Sequence, residues 1–153
     1  MEVILAVIKP KKQVTTYIDG NIHTEEWVLS NIKYTTSHRE DGPARITYFR
    51  NGTVEIKRWL RYGEYVRLDG PCYEHFFENG KVNNQEWHYR FNDFRFYTYI
   101  ETDINGECIK ETASFYHQFK NEHLIEFLFS NNLFGVPQNE WSEEQIFLLT
   151  MTF

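Results

Sequence analysis

The sequence predicts a mainly β fold of the α+β class, an antiparallel meander of stacked β-hairpin repeats capped by two C-terminal helices. Three observations predict it. The block at residues 38–59 recurs at residues 66–87, a displacement of 28. Asp-Gly and Asn-Gly pairs punctuate runs rich in β-branched and aromatic residues, the strongest short-range hairpin signal. From about residue 115 the hydrophobic period changes from two to that of a helix.

The first element expected is a strand over the short apolar run Val3 to Ile8, stopped by Pro10. No basic stretch precedes that run and no small-residue cleavage site follows it, so a signal peptide is not expected. No run is long enough to span a membrane. The repeats follow. Arg39 maps onto Arg67, Asp41-Gly42-Pro43 onto Asp69-Gly70-Pro71, Asn51-Gly52 onto Asn79-Gly80 and Trp59 onto Trp87. Such self-similarity signals a repeat architecture. Upstream, Asp19-Gly20 and Trp27 form a further copy, four residues longer before its Asp-Gly-Pro. The interval from Gly20 to Trp27 equals those from Gly52 to Trp59 and from Gly80 to Trp87. Asn105-Gly106 marks a last copy without the Trp, as expected where an array is capped. Copies are expected at about residues 14–43, 44–71, 72–96 and 97–111, with residues 112–153 a helical cap of the same compact unit.

Each copy should be a strand, a tight turn, a strand and an Asp-Gly-Pro connection. The turn is expected to place both its central residues at positive φ, which Gly and Asn tolerate at low cost. Ile46, Tyr48, Val54 and Ile56 stand at even positions and are expected to share one face. Pro43 and Pro71 remove a backbone donor and break strand pairing. Beyond the array, Tyr116, Phe119, His123, Leu124, Phe127 and Leu128 follow one helical face, ended by Asn131-Asn132 and Gly135. Ser142 and Gln145 spell a capping box, with Trp141 and Ile146 at staple positions, so a second helix is expected over about residues 142–151. Phe127, Phe129, Phe134, Trp141, Phe147, Leu148 and Leu149 must bury against something. That is either the open edge of the sheet or a partner surface, including a second copy of the chain.

The pattern resembles the DGPA-type, MORN-like repeats, which run roughly His-Arg-x-Asp-Gly-Pro-Ala, strand, Asn-Gly, strand, Trp. His38, Arg39, Asp41, Gly42, Pro43 and Ala44 match that motif in full. The second copy departs from it at Val66 and Cys72. The resemblance covers about residues 14–111 and is more specific for fold than for function. Such repeats are similar to those of many uncharacterised phage and giant-virus proteins and of some bacterial proteins labelled antitoxins. Related MORN arrays imply scaffolding, protein–protein contacts and some acidic-lipid contacts.

The chemistry-bearing residues point away from catalysis. There is no nucleophile elbow, phosphate loop, dinucleotide fingerprint or zinc-ligand spacing. Cys72, His75 and His88 could meet across strands, but their spacing spells no metal motif. No cofactor, no metal and no enzymatic activity are expected. Two cysteines without a CxxC make a reducing compartment the default, hence the cytoplasm, or the host cytoplasm for a viral protein. The candidates for contact with a partner are Trp27, Trp59 and Trp87, Arg39 and Arg67 of the repeat motif, and Arg45, Arg50, Arg58 and Arg61 of the basic middle stretch. Trp, Tyr and Arg are the residues of interface anchors. The tryptophans serve equally as repeat core, and the motif arginines as structural stacks on aromatic rings.

The middle stretch, residues 31–70, carries eight Lys/Arg against five Asp/Glu. Residues 101–153 carry two against nine, so that segment repels phosphate. The expected function is that of a non-enzymatic protein-interaction module. For a phage or viral protein the target would be a host protein, which binding could inhibit. The alternative is acidic lipid or nucleic acid bound through the basic middle repeat.

Overall fold

The computed structural model describes residues 8–30, 34–91, 94–116 and 121–153. The strand expected from Val3 falls on residues outside these, Ile8 excepted, and the first described strand starts just after Pro10. Strands β1 (Lys11–Thr16) and β2 (Ile22–Ser30) form the first hairpin, and β3 (Thr35–Ser37) folds back on the end of β2. The second hairpin pairs β4 (Arg45–Tyr48) with β5 (Val54–Arg58). A small separate hairpin, β6 (Leu60–Arg61) with β7 (Glu64–Tyr65), follows. Then β8 (Tyr73–Phe76) pairs with β9 (Val82–Phe91), and β10 (Phe94–Thr102) with β11 (Cys108–Phe115). The main sheet runs β1-β2-β4-β5-β8-β9-β10-β11, every neighbouring pair antiparallel, which is the expected meander.

The hairpin turns share one conformation. Gly20, Gly52, Gly80 and Gly106 have φ of 88, 85, 84 and 93°. Each donates its N–H to the carbonyl three residues back, at 2.9–3.0 Å. The residue before each Gly does not have positive φ, which corrects the expected turn type. The loop is a tight turn closed by one left-handed Gly, with a bulge that shifts the register by a residue. Side chains select it: Asp19, Asn51 and Asn79 each accept the amide two residues on, at 3.1, 2.9 and 3.0 Å. In the last turn Asp103 takes that role. The bulge also corrects the expected face. Ile46 pairs with Lys57 and Thr47 with Ile56, so Ile46 and Ile56 lie on opposite faces.

The Asp-Gly-Pro segments recur bond for bond. Trp27 and Trp59 donate their N–H to Ala44 and Cys72, both fully buried. Ala44 and Cys72 donate in turn to Arg58 and Glu86. The carbonyls of Trp27 and Trp59 accept from His38 and Val66. The chain between these last points is the β2–β3 hairpin end in one copy and the β6–β7 hairpin in the other. The first copy's four extra residues are accommodated there. Gly63 N–H bonds Ser37 O at 2.9 Å and joins the two excursions.

The cap has two helices, as expected, but the first begins later than the periodicity implied. β11 continues to Phe115, paired with Phe96, and α1 spans Glu122–Ser130 with Asn121 as N-cap. Tyr116 thus lies beyond the strand rather than on the helix, and Phe119 is outside the described residues. A 3-10 turn, Gln138–Glu140, precedes α2 (Glu143–Thr152), whose Ser142–Gln145 capping box is present. The helices pack on one face of β9–β11, where Trp87, Tyr89, Phe96, Leu128, Trp141 and Leu149 belong to one core. Phe129, Phe147 and Leu148, expected inside, are 49%, 61% and 40% exposed. In α2 only Ile146 and Leu149, one turn apart, join that core, so Phe147 and Leu148 turn outward. Among the described residues no helix is long and apolar enough to cross a membrane.

Candidate interaction face

On one face of the sheet the repeat tryptophans line up, and the motif arginines cover two of them. The Arg39 guanidinium lies 3.9 Å from the centre of the Trp27 ring, and that of Arg67 lies 4.0 Å from Trp59. Each arginine also donates to the motif Asp, Arg39 Nε to Asp41 Oδ1 at 2.7 Å and Arg67 Nε to Asp69 Oδ1 at 2.9 Å. Each reaches the following Pro carbonyl as well. The guanidinium beside each Asp holds its carboxyl below the usual range. These bonds engage two of the five donors of each guanidinium. Trp87 has no such arginine: it is 8% exposed within the helix-covered core, where the chain at Gly135 approaches its ring. Trp27 and Trp59 are only half-buried.

The four arginines of the middle stretch do not form one patch. Arg50 sits at a hairpin tip, 5.2 Å from the Tyr17 ring. Arg61 is exposed on β6. Arg45 and Arg58 come together, because the β4–β5 register places them directly opposite each other. They lie on the sheet face away from the tryptophans. Successive registers put Glu26, Arg45, Arg58, Tyr73, Glu86 and Tyr99 in one row across that face. Like charges directly opposite on a strand pair are destabilising. Both Nε atoms are buried without a hydrogen-bond partner. Arg58 stands over the Tyr73 ring at 5.7 Å. Burial raises the Tyr73 phenol while Arg58 pulls it down.

Further along the same face, β9 and β10 outrun β8 and leave an edge. Gln138 closes it, its Oε1 accepting Arg90 N at 2.9 Å and its Nε2 donating to Arg90 O at 2.7 Å. The β6–β7 hairpin lies over this region, Tyr65 stacking on His88 with ring centres 5.0 Å apart. Between hairpin and sheet is a cavity of about 470 Å³, with Glu64, Tyr65, His88, Arg90, Arg95 and Tyr116 among its lining residues. None of these six is among the contact candidates that the sequence suggests, since only the strand register brings them together. The sole signal for them along the chain is the alternation of polar and aromatic residues in β9 and β10.

Burial raises Tyr65 and Tyr116, so both phenols stay protonated donors at neutral pH. Burial pushes the Cys72 thiol up to about 11, which keeps it a poor nucleophile. Among the described residues no cluster of His, Cys, Asp and Glu could hold a metal ion. Both cysteines are free thiols, Cys72 buried and Cys108 exposed. Comparison with family models, curated proteins and solved structures finds no match to this chain.

Proposed function

We propose that the chain is a non-enzymatic interaction module that binds an acidic site on another protein through the open sheet face. The observation that carries this reading is the Arg45–Arg58 pair, opposed in register with both Nε atoms buried and unbonded. A buried donor without an acceptor costs about 1–3 kcal/mol. An incoming carboxylate at the two guanidinium groups would screen their mutual repulsion. Tyr73 and Tyr99 in the same row supply the aromatic contact of an interface anchor. The MORN-like resemblance agrees with a scaffold built for protein contacts. Its phage and giant-virus associations make a host protein the expected target, and the cytoplasm the expected site. The exposed Phe147, Leu148 and Met151 of α2 offer a second contact, suited to self-association.

The test is a pull-down from host lysate with the wild-type chain and with R45E/R58E, together with a size measurement in solution. The expected result is a specific protein captured by wild type and lost in the reversed variant, with capture weakening as salt rises. Capture of single-stranded RNA or of acidic vesicles in place of a protein would overturn the reading, as would capture indifferent to R45E/R58E.

A further inference from the structure

Beneath the β6–β7 hairpin the open face is concave. The cavity's volume of about 470 Å³ is that of a small-molecule site. Its chemistry has two halves. Arg90 and Arg95 face each other directly in the β9–β10 register, a second opposed pair of like charges. Arg90 is bridged to Glu64 of the hairpin at 3.3 Å, and more than half of its side chain is exposed. Among the described residues no carboxylate stands against Arg95. Among the described residues that line the cavity, Glu64 is the one carboxylate, set against the guanidiniums of Arg90 and Arg95. The other half is aromatic. Tyr65 stacks on His88, whose ring centre is 5.8 Å from that of Tyr116, and Tyr116 Oη hydrogen-bonds His88 Nδ1. That bond and the His88 Nε2–Glu86 contact fix the ring orientations. Tyr116 takes its place because its N–H bonds Arg95 O at 3.0 Å, extending the sheet by one residue.

We propose that this cavity binds a small organic anion joining a planar ring to a carboxylate or phosphate. Arg90 and Arg95 hold the charge, and Tyr65 and Tyr116 flank the ring. The Arg90–Glu64 bridge ties the hairpin to the sheet, so Glu64 yields part of its hold on Arg90 when the ligand's anionic group arrives. The site is independent of the Arg45–Arg58 pair.

Isothermal titration of the full chain with phenyl phosphate and with benzoate tests this, with inorganic phosphate and benzyl alcohol as the two halves of the ligand. One aryl anion is expected to bind at a single site, at least tenfold tighter than either half. The preferred anion distinguishes phosphate from carboxylate. R90Q/R95Q should weaken it at least tenfold while the chain still unfolds in one cooperative transition, since both residues are exposed. Tyr65→Ala, on the hairpin outside the main sheet, should weaken the aryl anion and leave inorganic phosphate unaffected. No binding of either aryl anion at millimolar concentration would overturn the proposal. So would affinity unchanged in both variants, or inorganic phosphate binding as tightly as phenyl phosphate.

Discussion

Gly42 and Gly70 show how a motif residue can be required for a reason other than its own backbone. Neither has positive φ. A Cβ on Gly70 would stand 2.7 Å from Arg67 Cζ, and one on Gly42 would stand 3.1 Å from Arg39 Cζ. The glycines leave room for a guanidinium lying flat between the turn and a tryptophan. Gly70→Ala should therefore push Arg67 off Trp59, at about 1 kcal/mol for the lost cation–π contact. In a R67A background the same change should cost little, because the clash is gone. Denaturant unfolding of the four proteins measures the coupling, and additive costs would contradict it. Gly52 is different. Its φ of 85° strains any side chain whatever the space around it, and nothing lies within 4 Å of its missing Cβ. Gly52→Ala should cost about 1–2 kcal/mol with or without the arginines.

Between elements, polar bonds stitch the first two hairpins where no helix covers them. Tyr48 Oη on β4 donates to Glu25 Oε2 on β2 at 2.7 Å, and Lys12 on β1 bridges the same carboxylate. Lys12 and Tyr48 hold Glu25 below its ordinary pKa. Burial, with the bond to Glu25, raises Tyr48 to about 12. The two shifts act at opposite ends of the pH scale. A depressed carboxylate contributes stability above its unfolded pKa, lost as pH falls through the acid range. A raised phenol contributes stability below pH about 10, lost as pH climbs toward 12. Tyr48→Phe should flatten the alkaline fall, and Glu25→Gln should weaken the acid limb. Melting curves at pH 3, 7 and 11 check both, and parallel profiles for wild type and Y48F would show the bond to be inconsequential. At this scale the sequence was legible in its turn positions. The bulge was not, because Asn-Gly is compatible with two hairpin loops and only the neighbouring side-chain bonds choose between them.

Across the whole molecule, burial is graded. β1 is exposed at every residue, whereas Phe96, Thr98, Ala113, Leu124 and Leu128 are fully buried under the cap. Local stability follows buried apolar contact. Amide hydrogen exchange should be slowest in β9, β10 and α1 and fastest in β1, with β4 and β5 between them. Uniform protection along the sheet would contradict this gradient. The same gradient explains the three tryptophans. They occupy one position of the repeat, yet Trp27 and Trp59 lie under arginines and Trp87 lies under the C-terminal segment.

The amino-acid sequence determined the local units by itself: hairpins where Gly permits a left-handed residue, breaks at Asp-Gly-Pro, and a helix start at Ser142. These depend on φ preferences and on hydrogen bonds within a few residues. Only the tertiary structure decided which distant side chains meet. It opposed Arg45 to Arg58 and Arg90 to Arg95, and scattered Arg50 and Arg61. It also laid the β6–β7 hairpin over a cavity. Those outcomes follow from strand register, where a one-residue bulge moves every later side chain to the other face, and the spacing of residues along the chain does not encode that shift.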